Sequence, residues 1–385
     1  MKFFTFLPFI VLTLAFFQCN TEPSEIPEET AELKEVIVVD STAFYDSIYL
    51  PYRYDLDTFF LNKYERTEFF GTVLFAKNGH VIFQNSYGYA NVKKKDTLTI
   101  DHTFQLASAS KPFTAVATMQ LVEKGKLNLT DDVQQFFPNF PYAGIDIHQL
   151  LSHRSGMSQY THFCDAPDSI WPDKHLSITN NDVINIMEKY VPMTNYAPNQ
   201  THYYCNTNYL LLASIVEKVS GMKFKEYLKK NVFEPSGMTH TVLYDRDNKD
   251  SLILPTIGYN GAYNPEMDIY LNGVVGDKGI YSNVNDMLKF DQALYSGKLL
   301  ADSTVQLMMQ DHNEQQNNGQ NYGYGFRIHP ESEVGRIVYH TGWWEGYRTY
   351  FIRIPEQQKT VVVLTHIKRG KFLDVRELAT LIKDI

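Results

Sequence analysis

A serine and a lysine three residues apart form the first pair in this sequence that could do chemistry, in the run Ser108-Ala-Ser-Lys111. On a helix, residues i and i+3 lie on one face, so the lysine amine can reach the serine hydroxyl. A serine is a weak nucleophile until an adjacent base takes its proton, and a buried lysine can be that base. The spacing therefore predicts a nucleophilic serine at the start of a helix, where free N–H groups favour developing negative charge. The alternative is an N-capping Ser108 with a solvated Lys111.

The same spacing occurs a second time, at Ser220-Gly-Met-Lys223. Gly221 is typical of the residue that ends a helix. This copy therefore spans a helix end, and its serine and lysine should not share a face. We expect no chemistry from it.

Two further short runs contain groups that could join the Ser108 pair. Tyr204-Cys205-Asn206 holds a phenol and a carboxamide two residues apart, which face the same way in an extended segment. His340-Thr341-Gly342 ends a β-rich run just before Trp343. Taken singly, the first run could be a capping asparagine beside a core tyrosine, and the second a strand end with a turn glycine.

The order S-x-x-K, Y-x-N and basic-T-G resembles the penicillin-recognising serine hydrolases. These include class C β-lactamases, D,D-peptidases and related esterases and D-aminopeptidases. The resemblance covers roughly residues 55–370 and extends beyond the three motifs. The further similar segments are FTAVATMQLVEKGKLNLTDDVQQFFPNFP (113–141), LLSHRSGM (150–157), GDKGIYSNVNDMLKF (276–290) and YGYGF (322–326).

The resemblance implies a role for each motif residue. Ser108 would be the nucleophile that accepts the acyl group, Lys111 would activate it, and Tyr204 would be a second base that passes a proton to the leaving group. The backbone N–H groups of Ser108 and Trp343 would form the oxyanion hole. Asn206 would hold the substrate amide or a neighbouring side chain. The residues expected to bind substrate are Asn206, His340, Thr341, Gly342 and Trp343.

The third motif departs from the usual pattern because His340 stands where β-lactamases and peptidases usually have lysine. A histidine with an unperturbed pKa of about 6.5 is mostly neutral at pH 7. The departure favours the esterase and D-aminopeptidase branches over strong β-lactamase activity. Two interpretations stay open: a protonated His340 that binds a substrate anion, or a neutral His340 that orients the Ser108–Tyr204 network.

The sequence thus predicts a serine hydrolase that forms an acyl-enzyme with an amide or ester, its partner being a small-molecule or peptide substrate. The alternative is a catalytically inactive penicillin- or peptide-binding sensor of the same fold. The 12 histidines include no H-E-x-x-H motif, and no C-x₂-C pair occurs, so no metal or other cofactor is expected. A net charge of −9 argues against nucleic acid as a partner.

The elements that must position these residues predict an α/β fold of the α+β type. Asn78-Gly79 between two β-rich runs indicates a hairpin. Strands from both ends of the chain should pair into one antiparallel sheet flanked by helices, with a mostly helical inserted lobe, as in the β-lactamase/transpeptidase-like fold. The predicted strands are 72–76, 81–84, 336–339, 348–354 and 360–366, with turns at 342–346 and 355–358. The predicted helices are 48–66, 109–124, 183–190, 209–221, 224–233 and 373–385.

The N-terminal segment predicts export. Lys2 and the apolar run 3–17 are typical of a secretory signal, and the run is too short to span a membrane. Cys19 at the cleavage position resembles the lipidated residue of bacterial lipoproteins; ordinary cleavage or a buried cysteine is the alternative. We therefore expect a signal peptide at 1–19, an acidic flexible tether at 20–45 and a hydrolase domain at 46–385. The protein would be held in the bacterial cell envelope by a lipid anchor and face the periplasm.

The two remaining cysteines, Cys164 and Cys205, could form a disulfide in an exported protein. The sequence alone does not show whether the two cysteines approach within bonding distance. We expect two free, buried thiols.

Overall fold

Apart from Met1, this computed structural model describes residues 41–66, 68–165, 170–171, 173–313 and 321–385. The predicted signal peptide, Cys19 and residues 20–40 of the predicted tether lie outside the described residues. The first helix begins at Ser41, so the last five residues of the predicted tether are helical. Within the described residues, no helix combines the length and the apolar character needed to cross a bilayer.

A six-stranded antiparallel sheet forms the centre of the described chain. Its strands are β1 (Gly71–Lys77), β2 (His80–Tyr87), β8 (Arg327–His329), β9 (Ile337–Trp344), β10 (Tyr347–Ile354) and β11 (Lys359–Thr365). Their order is β2-β1-β11-β10-β9-β8, and β1 pairs with β11 along seven residues from Gly71↔Thr365 to Lys77↔Lys359. The predicted pairing of strands from both ends of the chain is confirmed.

Short strands outside this sheet and most of the helices lie in the long segment between β2 and β8. The short strands are β3 (Tyr89–Asn91), β4 (Asp96–Thr97), β5 (Phe104–Gln105), β6 (Val242–Leu243) and β7 (Ile280–Ser282). The α-helices of the described residues are α1 (Ser41–Glu65), α2 (Lys111–Glu123), α3 (Ile147–Leu151), α4 (Tyr160–Phe163), α5 (Asn180–Tyr190), α6 (Asn206–Ser220), α7 (Phe224–Leu228), α8 (Glu234–Ser236), α9 (Val284–Tyr295), α10 (Asp302–Met308) and α11 (Val375–Thr380). The predicted helical insert is confirmed.

Both faces of the sheet are buried, because alternate residues of each strand enter different cores. Leu74 and Ala76 of β1 belong to the large core that contains α2, α6 and α9. Val73 and Phe75 belong to a smaller core, in which the ring of Phe60 on α1 lies 6.0 Å from that of Phe75. The sheet is therefore the middle of three layers, and the lobe that carries α2 and α6 covers one face.

Local predictions are confirmed where turn chemistry dictates the backbone. Asn78 and Gly79 both have positive φ, of 51° and 76°, as the tight hairpin between β1 and β2 requires. Gly221, with φ 71°, ends α6. Cys164 and Cys205 are both buried and free.

Several predicted boundaries are wrong, and the clearest cases are the end of β9 and the closing helix. β9 does not stop at Tyr339 but continues through Trp344, so the turn to β10 is Glu345-Gly346 rather than 342–346. Gly342 suggested a turn, yet it is paired with Thr349 inside the ladder. The closing helix is shorter than predicted, since α11 spans only Val375–Thr380.

Candidate active site

Ser108 lies on a strained turn at the entrance to α2. The 3₁₀ turn Ala107–Ser110 runs directly into the helix, and Ala107 has a φ of 49°. That left-handed conformation is unfavourable for a residue with a Cβ and is held only by its surroundings. The turn leaves Ser108 partly exposed, whereas Ala107 and Ala109 are buried.

Gly342 of β9 allows the strand to approach this turn. A Cβ at Gly342 would lie 2.1 Å from the carbonyl oxygen of Leu106 and 3.1 Å from the Cβ of Ala107. Only glycine fits such a contact. The third motif therefore packs directly against the backbone that precedes Ser108, and Trp343, with its side chain half exposed, follows one residue later. This is the neighbourhood that the predicted oxyanion hole requires.

Lys111 is completely buried and its amine bridges three elements. Nζ donates to Ser108 Oγ at 3.1 Å, to Asn206 Oδ1 at 2.8 Å and to the carbonyl oxygen of Asp277 at 2.9 Å. The amine nitrogen thus has three polar neighbours within hydrogen-bond distance. The alternative of a solvated Lys111 is excluded, and Ser108, Lys111 and Asn206 are brought together as the motif order predicts.

Tyr204 lies beside this cluster. The Lys111 Nζ is 4.9 Å from the centre of the Tyr204 ring. The phenol oxygen is buried and has no hydrogen-bond partner within the described chain. Gln159 fixes the backbone around it, since Nε2 donates to the Tyr204 carbonyl at 2.6 Å and Oε1 accepts from Asn206 N–H at 2.8 Å. A buried hydroxyl without a partner is costly, so it is available to a bound ligand.

His340 is fully buried and both ring nitrogens are occupied. Nδ1 lies 2.7 Å from the Thr341 carbonyl oxygen and so carries the proton, while Nε2 accepts from the Tyr322 hydroxyl at 3.1 Å. Burial, and then the charges of Arg327 and Lys111, hold the pKa of His340 well below its usual range. Burial and the occupation of both ring nitrogens favour the neutral interpretation over a protonated His340 that binds a substrate anion. The neutral ring instead fixes Tyr322.

Arg327 is a functional candidate that the sequence analysis missed. It is the first residue of β8 and follows directly after the YGYGF segment. Its guanidinium carbon lies 4.7 Å from the centre of the Tyr204 ring, on which it stacks as a cation on a π face. Nε is buried without a hydrogen-bond partner, and no carboxylate of the described residues pairs with this arginine. The sequence feature that could have indicated Arg327 is its position as a charged residue directly after YGYGF.

A second buried network supports Lys111 from behind. Asp277, whose carbonyl accepts from Lys111, receives a hydrogen bond from the Tyr160 hydroxyl at 2.9 Å on Oδ2. Lys278 Nζ donates to the same Tyr160 oxygen at 2.8 Å. Burial lowers the pKa of Lys278. These contacts fix the GDKG segment, and with it the acceptor that orients the Lys111 amine.

The second S-x-x-K copy forms no pair, as predicted. Ser220 Oγ donates back to the Val216 carbonyl at 2.6 Å, and Lys223 precedes α7 as its N-cap residue. Among the residues that the structure describes, no group of three or more His, Cys, Asp or Glu side chains could hold a metal ion.

Fold and site together define the class of protein: a serine hydrolase, in which a lysine rather than a histidine lies beside the candidate serine, Ser108. Residues 65–383 match the family described as Beta-lactamase. Penicillin-binding protein 4* of Bacillus subtilis (strain 168) is 34% identical over 330 residues, which cover 82% of this chain and 72% of the relative. The chain therefore belongs to the Beta-lactamase family.

Two more distant matches agree with this assignment. A D-aminopeptidase of Brucella anthropi is 22% identical over 307 residues, 78% of this chain and 56% of the relative. The solved structure of an octameric penicillin-binding protein homologue from Pyrococcus abyssi has a TM-score of 0.71 and 28% identity, and covers 81% of this chain and 73% of that chain. The resemblance based on the three motifs is confirmed, and so is the predicted fold class.

Proposed function

We propose that this protein hydrolyses a peptide or depsipeptide through an acyl-enzyme on Ser108, and that the leaving group of its substrate carries a carboxylate. The observation that carries the proposal is the bridging of Ser108 Oγ and Asn206 Oδ1 by the buried Lys111 amine, with the unpaired Arg327 close by. The contact of Lys111 with Ser108 supports the acyl-transfer chemistry. The unpaired Arg327 supports a substrate that carries a carboxylate.

In the proposed acylation, neutral Lys111 takes the proton of Ser108 as Oγ attacks the substrate carbonyl. Backbone N–H groups of Ser108 and Trp343 stabilise the oxyanion; the loss of one such donor typically costs about 10²–10³ in rate. The Tyr204 hydroxyl, which has no partner in the free enzyme, gives its proton to the leaving nitrogen or oxygen and is reprotonated from Lys111. Water then attacks the acyl-Ser108 carbonyl by the reverse proton path.

Arg327 supports a carboxylate on the leaving-group side of the substrate. It contacts Tyr204, the group proposed to protonate the leaving atom, and its charge is not compensated by a carboxylate of the described chain. A guanidinium offers two parallel donors to a carboxylate. His340, buried and neutral, does not supply this charge. The D,D-peptidase type of substrate therefore fits the site better than a neutral ester.

The test compares a depsipeptide that ends in a free carboxylate with its methyl ester. The wild type should hydrolyse the free acid with the higher kcat/KM, Ser108→Ala should hydrolyse neither substrate, and Ser220→Ala should match the wild type. Equal kcat/KM for both substrates would contradict the proposed recognition of a carboxylate on the leaving group. Unchanged turnover by Ser108→Ala would contradict an acyl-enzyme on Ser108. If the wild type binds both substrates without turnover, the alternative of an inactive sensor would be favoured.

We also propose export and anchoring through Cys19. The apolar run 3–17 and the acidic segment after Cys19 support this proposal. Cys19→Ser should release the protein from the membrane fraction or block its processing. Recovery of the wild type as a soluble periplasmic protein would contradict the lipid anchor.

A further inference from the structure

The segment Gly276-Asp277-Lys278-Gly279 places two opposite charges in the interior beside the candidate site. Asp277 and Lys278 are only 2% and 3% exposed. Charged residues are almost never buried this completely, because the removal of an ion from water is costly. The Asp277 carbonyl oxygen accepts from the Lys111 amine at 2.9 Å, so the two charges lie directly behind the proposed base.

The surroundings of Lys278 favour a protonated amine. Nζ donates to the Val274 carbonyl oxygen at 3.0 Å and to the Tyr160 hydroxyl oxygen at 2.8 Å. The Tyr160 hydroxyl in turn donates to Asp277 Oδ2, and Asp277 Oδ1 lies 3.7 Å from the amine. Glu345, in the turn between β9 and β10, is a second carboxylate whose charge acts on Lys278. These acceptors and carboxylates together hold a positive charge in the interior.

Lys278 and Lys111 are close enough for their charges to act on each other. Burial lowers the pKa of Lys278, the charge of Asp277 raises it, and the charge of Lys111 lowers it further. Repulsion between two ammonium groups is mutual. A charged Lys278 therefore disfavours a proton on Lys111, and the charge of Asp277 acts in the opposite direction.

Most of the other titratable groups around Lys111 are held in uncharged forms. They are two phenols, two imidazoles and one thiol: Tyr204, Tyr209, His153, His340 and Cys205. Burial lowers the pKa of both imidazoles and raises the pKa of Tyr209 and that of the thiol, so these four groups are neutral at pH 7. Arg327, which contacts the same Tyr204 ring as Lys111, is a further cation.

The backbone of the segment is also held by contacts that need neither charged side chain. The Gly276 carbonyl oxygen accepts from Thr114 Oγ1 at 2.6 Å, and the Ile280 N–H donates to Ser110 Oγ at 3.2 Å. A Cβ at Gly276 would lie 2.3 Å from the Tyr209 carbonyl oxygen, so the segment packs tightly against α6. A buried ion pair is weak evidence for stability, since well-packed apolar side chains are often as stable. The two charges therefore indicate a role beyond holding the backbone.

We propose that Lys278 is a positioning residue whose positive charge favours the unprotonated form of Lys111 and so prepares it to take the proton of Ser108. The inference rests on the proposed function. The proton still moves from Ser108 Oγ to Lys111 Nζ, and Lys278 keeps its own protons throughout. Asp277 limits the effect, because its negative charge favours the protonated form of Lys111.

The test is the pH dependence of kcat/KM on the free-acid depsipeptide, whose acidic limb reports deprotonation of the base in the free enzyme. Lys278→Met removes the cation, and the limb should move to higher pH by about one unit or more, the usual effect of a charge at close range. Asp277→Asn removes the anion, keeps an acceptor for Tyr160, and should move the limb to lower pH. Lys278→Arg keeps the charge and should have the limb of the wild type.

Tyr160→Phe is the matched control, because it removes the hydroxyl that joins Asp277 to Lys278 and changes no charge. Its limb should stay at the wild-type pH, whereas a purely structural role predicts that it behaves as Lys278→Met does. An unmoved limb in Lys278→Met overturns the inference, and so do shifts in the same direction for Lys278→Met and Asp277→Asn. A limb that Glu345→Gln abolishes also overturns it, since that limb would report Glu345.

The result does not depend on the folding of one variant. If Lys278→Met does not fold, the shift in Asp277→Asn decides, and a shift to higher pH or no shift overturns the inference. If the wild type does not hydrolyse the depsipeptide, or if Ser108→Ala does, the proposed function fails and the inference fails with it. If the enzyme is active through Ser108 and the limb does not follow the charges, only the inference fails.

Discussion

The Lys111 cluster and the His340 cluster both lie beside the Tyr204 ring and use buried polar groups in opposite ways. Lys111 directs its amine at the reactive serine, at Asn206 and at one backbone carbonyl. His340 directs both nitrogens away from the reaction, to Tyr322 and to the backbone of Thr341. In the proposed mechanism, the first cluster transfers protons and the second holds Tyr322 in position. Arg327 of the neighbouring strand would then supply the cation that is usual at the third motif.

Removal of the Lys111 amine should have the largest effect. Lys111→Met should lower kcat by about 10²–10⁴-fold, the usual contribution of a general base, because Ser108 then has no proton acceptor. Steady-state kinetics on the depsipeptide measures this loss. Lys223→Met, in the second S-x-x-K copy, is the matched control and should stay within two-fold of the wild type, about the effect of a surface substitution. Comparable losses of kcat in both variants would mean that Lys111 has no catalytic role that Lys223 lacks.

Substitution of Arg327 should have the second-largest effect. Arg327→Gln should raise KM for the free-acid depsipeptide by roughly 10–100-fold, the value of one hydrogen bond to a charged group, and leave the methyl ester unchanged. Arg336→Gln is the control, since that residue is paired with Glu356 on the surface. Equal effects on both substrates would mean that Arg327 only holds Tyr204 in place.

Gly342 tests the contact between β9 and the turn that carries Ser108. Gly342→Ala should reduce the free energy of unfolding by about 1–3 kcal/mol, as other overpacked sites do, and should also lower kcat because β9 must move away from the Ser108 turn. Thermal unfolding and kinetics measure the two effects. Gly125→Ala introduces a side chain at a positive φ with nothing within 4 Å, so it should cost stability and leave kcat unchanged. A Gly342→Ala enzyme with wild-type kcat would contradict the close approach.

The smallest effect should be a pH dependence of stability from His340. Its pKa is depressed in the folded protein, so the unfolded chain binds the proton more strongly. The stabilisation is therefore complete above about pH 6.5 and is lost as pH falls toward the folded pKa, by up to about 1.4 kcal/mol per pH unit. Denaturant unfolding between pH 7 and pH 5 should show a shallower loss for His340→Gln than for the wild type. The exposed His175→Gln should not differ from the wild type.

The part of the site that depends on local spacing could be predicted from the sequence. Ser108 and Lys111 share a helix face because of the i, i+3 geometry, and Asn78-Gly79 dictates a hairpin whatever surrounds it. The pairing of β1 with β11 followed from the need of strands at both ends of the chain to satisfy their edges. The first two features depend on residues that are close in sequence, and the third depends on the general need of strands to pair along their edges.

Features that depend on contacts across the fold could not be predicted. β8 is only three residues long, too short for an alternating pattern, so the sequence shows a charged residue after YGYGF but does not place Arg327 beside Tyr204. Glycine is common in turns, so Gly342 indicated a turn. The actual reason for a glycine here is its close approach to the backbone at Leu106, which is distant in sequence. The role of His340 likewise depended on its burial and on Tyr322, which spacing does not reveal.

The central claim is that Ser108 becomes acylated, and mass spectrometry of the trapped enzyme tests it most directly. A penicillin or a slow depsipeptide is mixed with the enzyme, quenched in acid and digested. The account predicts one added acyl mass on the peptide that contains Ser108, absent in Ser108→Ala and retained in Ser220→Ala. Substrate turnover without any adduct on that peptide, or an adduct on another residue that survives in Ser108→Ala, would contradict it.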